Sequence, residues 1–233
     1  MTIPRTAILL AAVTALALPL RALAACPDSH GQLIGYNNLF PVSTASFDTT
    51  YNVPGGPSGD VGFDLAAGTL HMSRTVYYQA NWTRVIATDA FDVMGVAPGT
   101  PVTLVANLDV TGQLVSPGCG GSGCGGWFQA SITQGSLMDS LQATFANVFT
   151  GGQVDVIRTL SLPLTIVAGT PATIAFEIAV FVPAGGDAGG SGSGIIHFTA
   201  LPSGASMVSC RGFGAGVTPT RSSTWGQLKL RYH

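Results

Sequence analysis

The chain has 233 residues; 46% are hydrophobic, only 9% are charged, and glycine (31) and proline (14) are abundant. Charge that sparse, beside many Val, Ile, Thr and Phe, excludes a disordered chain, which is normally charge-rich and poor in β-branched residues. Between Cys26 and Cys210 the bases are Arg74, Arg84 and Arg158 against all eleven acids. So acidic a body excludes nucleic acid as a partner, because phosphates require clustered Lys and Arg.

Residues 1–25 read as an export signal. Arg5 lies in a short polar start, and Ala7 to Leu20 form an uncharged apolar run. That run is too short to cross a bilayer, which takes about 20 residues, and Ala22-Leu23-Ala24 supplies small residues for cleavage. No transmembrane helix is expected in the remaining chain. The protein is therefore expected to be secreted, at the cell surface or in the periplasm.

All four cysteines, Cys26, Cys119, Cys124 and Cys210, survive removal of the signal. An even number in an exported chain favours disulfides. Cys119 and Cys124, separated by Gly-Gly-Ser-Gly, are expected to close a small loop, and Cys26 to pair with Cys210. The alternative is a lipoprotein, because Leu23-Ala24-Ala25-Cys26 also reads as a lipobox. Cys26 would then carry a lipid anchor and Cys210 would remain a thiol.

Residues 26–211 read as one β-sandwich domain. Expected strands in chain order are Val61–Met72, Arg84–Val96, Val102–Val110, Trp127–Thr133, Leu141–Phe149, Val154–Ile166, Ala172–Val180, Ile195–Leu201 and Ala205–Arg211. The clearest are Val102/Leu104/Ala106/Leu108/Val110 and Ala172/Ile174/Phe176/Ile178/Val180, each apolar on alternate residues. That period belongs to a strand half-buried in an antiparallel sheet. A Gly-Thr-Pro turn opens both strands, at Gly99 and again at Gly169. Asp139–Asn147 has an alternative reading as a short helix, from the spacing of Leu137, Leu141 and Phe145. Gly185–Gly194 reads as a flexible surface loop. About nine short strands between turn signals predict an all-β, antiparallel two-sheet sandwich of jelly-roll type.

After Cys210, residues 212–224 read as a Gly/Thr/Ser/Pro linker and 225–233 as a basic aromatic tail holding Lys229, the only lysine. The tail is a docking or sorting element, or a strand folded back on the sheet. Its charge suits the acidic body or an anionic cell surface, and the plainer reading is a solvated tail, since surface charges bind weakly.

The Gly99-Thr100-Pro101 turn-strand, its echo at Gly169, and Leu201-Pro202-Ser203-Gly204-Ala205 resemble features of the sandwich ectodomains of exported bacterial proteins of the PEP-CTERM-associated type. The resemblance covers about residues 40–213 and implies a fold and a surface location. It carries over no catalytic residue, and the chain lacks the Pro-Glu-Pro, terminal apolar helix and closing Arg cluster of that anchor.

No G-x-S-x-G elbow, H-E-x-x-H, Walker loop or D-x-D-x-D-G calcium loop occurs. Glu177 is the only glutamate and falls on the polar side of its strand; His30, His71 and His197 are isolated in sequence. Asp60, Asp64, Asp89 and Asp92 are expected to cap turns, with a structural calcium site as the alternative, and no other cofactor is implied. Tyr77, Tyr78, Trp82 and Trp127 gather near Gly/Asn-rich turns. Such rings stack on sugars or anchor protein interfaces when exposed, and pack a core when buried. The expected function is non-catalytic binding of a glycan or a cell-surface protein. The alternative is a structural envelope or matrix component, retained through its tail or a lipid on Cys26.

Overall fold

The computed structural model describes residues 26–32, 40–52, 54, 56–77, 81–116, 125–144, 152–182 and 188–214, with the backbone alone at 76, 77 and 81. These residues form thirteen strands: β1 (Ser29–Gln32), β2 (Phe40–Val42), β3 (Ser46–Asn52), β4 (Ser58–Asp64), β5 (Thr69–Tyr77), β6 (Asn81–Met94), β7 (Pro101–Ser116), β8 (Trp127–Gln134), β9 (Leu137–Thr144), β10 (Gly152–Val167), β11 (Ala172–Val182), β12 (Ala188–Thr199) and β13 (Ser206–Ser209). One sheet has the order β2-β1-β6-β11-β8-β9, with β13 also on β6; the other has the order β10-β7-β12-β5-β4-β3. We call them the β6 sheet and the β7 sheet.

The pairing is nested. The hairpin β8–β9 lies at the centre, and β7–β10, β6–β11 and β5–β12 follow outwards, all antiparallel. Successive pairs alternate between the two sheets. A long two-stranded ribbon wrapped this way is a jelly roll. The two Gly-Thr-Pro turns meet at one end, where Gly99 N–H donates to Ala168 O (2.7 Å) and Ala168 N–H to Thr100 O (2.9 Å). Gly99 and Gly169 have φ of 83° and 82°, a conformation that a Cβ would oppose. One of the strands they launch, β7, belongs to the β7 sheet and the other, β11, to the β6 sheet.

The core lies between the inner faces, where Phe91, Phe128 and Phe176 are fully buried. Four sequence expectations change. Gly185–Gly194 is not a loop throughout, because β12 starts at Ala188 and runs between β5 and β7. Its inward positions are glycine because neighbouring atoms fill their side-chain space: a Cβ on Gly192 would lie 2.6 Å from the Phe128 ring of the opposite sheet, and one on Gly112, its cross-strand partner, likewise, while one on Gly190 would meet Gln113 O at 2.5 Å and one on Gly194 Leu108 Cδ1 at 2.8 Å. The helix over Asp139–Asn147 is replaced by β9 as far as Thr144. Gly135, at φ 56°, turns the chain back onto β8, and Leu141 and Ala143 face inwards. Val61–Met72 is two strands, because Asp64 caps the Ala67 N–H (3.0 Å) and Gly68 reverses the chain. Finally, β1, β2 and β3 add strands that local patterning does not signal.

Candidate functional site

Three aromatic side chains form one row on the outer face of the β6 sheet. Phe181 on the central strand β11 pairs in register with Trp82 on β6 and with Trp127 on β8. Because a register pair places side chains on the same face, the rings meet across the strands. Ring centroids are 4.7 Å apart for Trp82–Phe181, 4.1 Å for Trp127–Phe181 and 6.0 Å for Trp82–Trp127. All three residues are half-buried, which leaves part of their apolar surface at the face.

Polar groups flank the row one register step away. Arg84 and Gln129 both pair with Ala179, and Gln142 pairs with Gln129. The short Ala179 keeps the middle of that step low. The Arg84 guanidinium lies 5.4 Å from the Trp82 ring centroid and 3.6 Å from the Glu177 carboxylate. Burial pushes the Glu177 carboxyl above its usual range, and the neighbouring Arg84 charge opposes the shift. The site therefore offers a flat apolar row edged by a guanidinium, two amides and a carboxylate.

Trp82 and Trp127 belong to the aromatic set expected to bind, and the fold brings them together. It adds Phe181, which lies one residue past the expected strand Ala172–Val180 and inside the observed β11. Tyr77 stands at the end of β5 in the other sheet, and Tyr78 lies outside the described residues.

The four calcium candidates do not converge. Asp60 and Asp64 lie on the outer side of β4, in the β7 sheet, and Asp89 and Asp92 on β6. Ser73 donates to Asp60, Asp64 caps its turn, and Asp92 accepts from the Val93 and Gly169 N–H groups (both 2.8 Å). Asp89 is buried and accepts from the Ala90 and Arg211 N–H groups. Among the described residues, one cluster has metal-ligating atoms within 4.8 Å of one another: Asp89, Cys26 and Cys210. Its two sulfurs are bonded to each other.

That bond corrects the lipoprotein alternative. Cys26 and Cys210 form a disulfide with Cα atoms 5.7 Å apart, so Cys26 Sγ has no valence for a lipid thioether. Cys119 and Cys124 lie outside the described residues. The buried Arg211 side chain secures the closure by donating to Ser29 Oγ (3.2 Å), Thr88 O (3.4 Å) and Asp28 (3.4 Å). Such a disulfide suits an extracellular or periplasmic compartment. No helix among the described residues is long and apolar enough to cross a membrane.

The chain is thus an all-β, two-sheet antiparallel sandwich with an aromatic row on one outer face. No protein-family model matches it, and no curated protein does. Among solved structures it is similar to one described as "CBM4 structure and function", with 16% identity, 63% of this chain and 95% of that one covered, and a TM-score of 0.21. It is also similar to the structure of infectious bursal disease virus, Gx strain, with 15% identity, 76% and 44% covered, and a TM-score of 0.20.

Proposed function

We propose that this protein is an exported, non-catalytic glycan-binding sandwich whose ligand lies across Trp82, Phe181 and Trp127. The observation that carries this reading is the in-register row of three half-buried rings on one outer face. Pyranose rings present apolar C–H faces that stack on aromatic side chains, while their hydroxyls need donors and acceptors around the edge. Arg84, Gln129 and Gln142 supply donors, and Glu177 supplies an acceptor. Shallow binding on a sheet face suits a polymer whose successive sugars each contribute a little. The export signal over residues 1–25 and the Cys26–Cys210 disulfide support an extracellular site of action. We also group the chain with the PEP-CTERM-associated ectodomains. The support is the Leu201–Ala205 turn, in which Ala205 N–H donates to Pro202 O (3.0 Å) and Gly204 has φ 79° as the chain enters β13.

The test is depletion from solution by a panel of insoluble polysaccharides, with the Trp82→Ala and Trp127→Ala variants alongside the wild type. Retention on at least one polymer, weakened about tenfold or more by either variant, is expected from loss of an aromatic stacking partner. Binding unaffected by both variants would remove the aromatic row as the site. Absence of binding to every polymer, with both variants folded, would turn the proposal towards a protein ligand.

A further inference from the structure

We propose that the outer face of the β7 sheet is the docking surface for the chain's own basic segment, residues 215–233. Five of the eleven acids lie on that face: Asp48 on β3, Asp60 and Asp64 on β4, Asp109 on β7 and Asp155 on β10. Register aligns them in rows. Asp155, Gln113, Ser191, Ser73 and Asp60 cross five strands in succession, and Asp109, Ile195, Thr69 and Asp64 cross four, four residues further along.

The hydrogen bonds that hold these carboxylates come from neutral groups. Ser73 donates to Asp60, Thr159 to Asp109 (2.6 Å), and Gln113 and Gln153 to Asp155 (3.3 and 2.8 Å). The titratable neighbours are His71, 3.5 Å from Asp48 and 3.6 Å from Asp60, and His197, 3.0 Å from Asp109. Neither is a permanent cation. Arg74 is buried on the inner side of β5, and Arg158, exposed on the edge strand β10, is confined to the margin of the face, where it lines a depression with Asp109, Ile157 and Thr159. The face is therefore an acidic sheet surface of mostly short Ser, Thr and Gly positions, interrupted by the exposed Ile157 and Ile195, with depressions of about 460 Å³ beside Asp155 and Ser191 and about 320 Å³ beside Asp48 and His71.

The complementary charge lies on this chain. Residues 215–233 hold Arg221, Lys229 and Arg231 and no acid. The described chain ends at Gly214, just after Phe213 has packed against Phe91 and Phe198. A Cβ on Gly68 would lie 2.8 Å from the Phe213 ring, so the segment begins beside the β4–β5 turn. Asp64 and Thr69 flank that turn on the acidic face. From Gly214, fifteen residues reach Lys229, a span of up to about 50 Å when extended. The sheet from β10 to β3 is about 24 Å wide at about 4.8 Å per strand. The whole face is within reach, and the tether keeps the effective concentration of the segment high enough for weak pairs to add up.

Lys229, as the only lysine, makes the test specific. A carbodiimide that joins amines directly to carboxylates is applied to an equal mixture of light and heavy-isotope chains, and the linked peptides are mapped by mass. The expected products are intramolecular links from Lys229 to Asp48, Asp60, Asp64, Asp109 or Asp155. Their yield should fall about tenfold in about 1 M NaCl, where the Debye length is about 3 Å. It should also fall in an Asp48→Asn/Asp60→Asn/Asp109→Asn variant and in an Arg221→Ala/Arg231→Ala variant that keeps Lys229. Links only between light and heavy chains would assign the segment to a second copy and overturn the proposal. Links to Asp28, Asp92, Asp139 or Glu177 alone, or no links at low salt, would overturn it as well.

Discussion

Gly192→Ala tests the account of the core most sharply, because two local arguments give opposite signs. In an ordinary strand this substitution restricts the unfolded chain and stabilises by about 0.4–1 kcal/mol. Here the new methyl would lie 2.6 Å from Phe128 Cε2 and 2.9 Å from Cζ, against an optimum carbon–carbon separation of about 3.5–4.0 Å. Phe128 is fully buried, and Gly112, directly opposite Gly192, is equally close to the ring. The ring cannot move away from one strand without pressing on its neighbour. Overpacking of this kind costs about 1–3 kcal/mol, so the net effect is a loss of about 1–2 kcal/mol. For a domain of this size that lowers Tm by about 2–8 °C. The assay is thermal or urea unfolding of the wild type, Gly192→Ala, Phe128→Leu and the double variant. The glycine substitution should cost less in the Phe128→Leu background, with a coupling of at least about 0.5 kcal/mol. A neutral or stabilising Gly192→Ala, or an equal cost in both backgrounds, would refute the idea that Gly192 and Gly112 are glycine to seat the Phe128 ring.

Reducing the disulfide, or replacing Cys26 and Cys210 by Ser, frees a crosslink of sequence separation 184 and should destabilise by up to about 5 kcal/mol on the chain-entropy argument, read as a shift in urea midpoint. Phe213→Ala removes a ring that packs against Phe91 and Phe198 and should cost about 2 kcal/mol by the same assay, showing that the domain extends past Cys210. The Tyr51 phenol is pushed up to about 12 by burial, with the Arg74 charge pulling the other way. An unfolded tyrosine ionises near 10, so folding loses stability as pH rises from about 10 to about 12. Below that window Tyr51 contributes no pH dependence. Tyr51→Phe should flatten this part of the alkaline stability profile; an unchanged slope would show that other groups govern it.

Strand positions were legible wherever one face is apolar and the other polar, because side-chain alternation is a local property of an extended backbone. Val102–Val110 and Ala172–Val180 fall inside β7 and β11 for that reason. The pairing of Cys26 with Cys210 was also within reach, since an even cysteine count left each a partner. Segments whose conformation is set by distant residues were not legible. The glycines of β12 look like a linker until distant residues are placed against them: Phe128 against Gly192, Gln113 against Gly190 and Leu108 against Gly194. Leu137, Leu141 and Phe145 suit a helix until β8 offers backbone partners to Leu137–Thr144.

The candidate site divides in the same way. Trp82 and Trp127 could be singled out as large aromatics near turns, but only the register of β11 sets Phe181 between them. Likewise, the chain shows acids scattered from Asp48 to Asp155, and the nested ribbon gathers five of them on one outer face. The sequence by itself determined an all-β domain with an acidic body and a basic end, because composition and period-two patterning are local. The tertiary structure decided which residues share a face, because neighbours across a sheet come from far apart in the chain and the antiparallel pairing of the jelly roll alone fixes which of them meet.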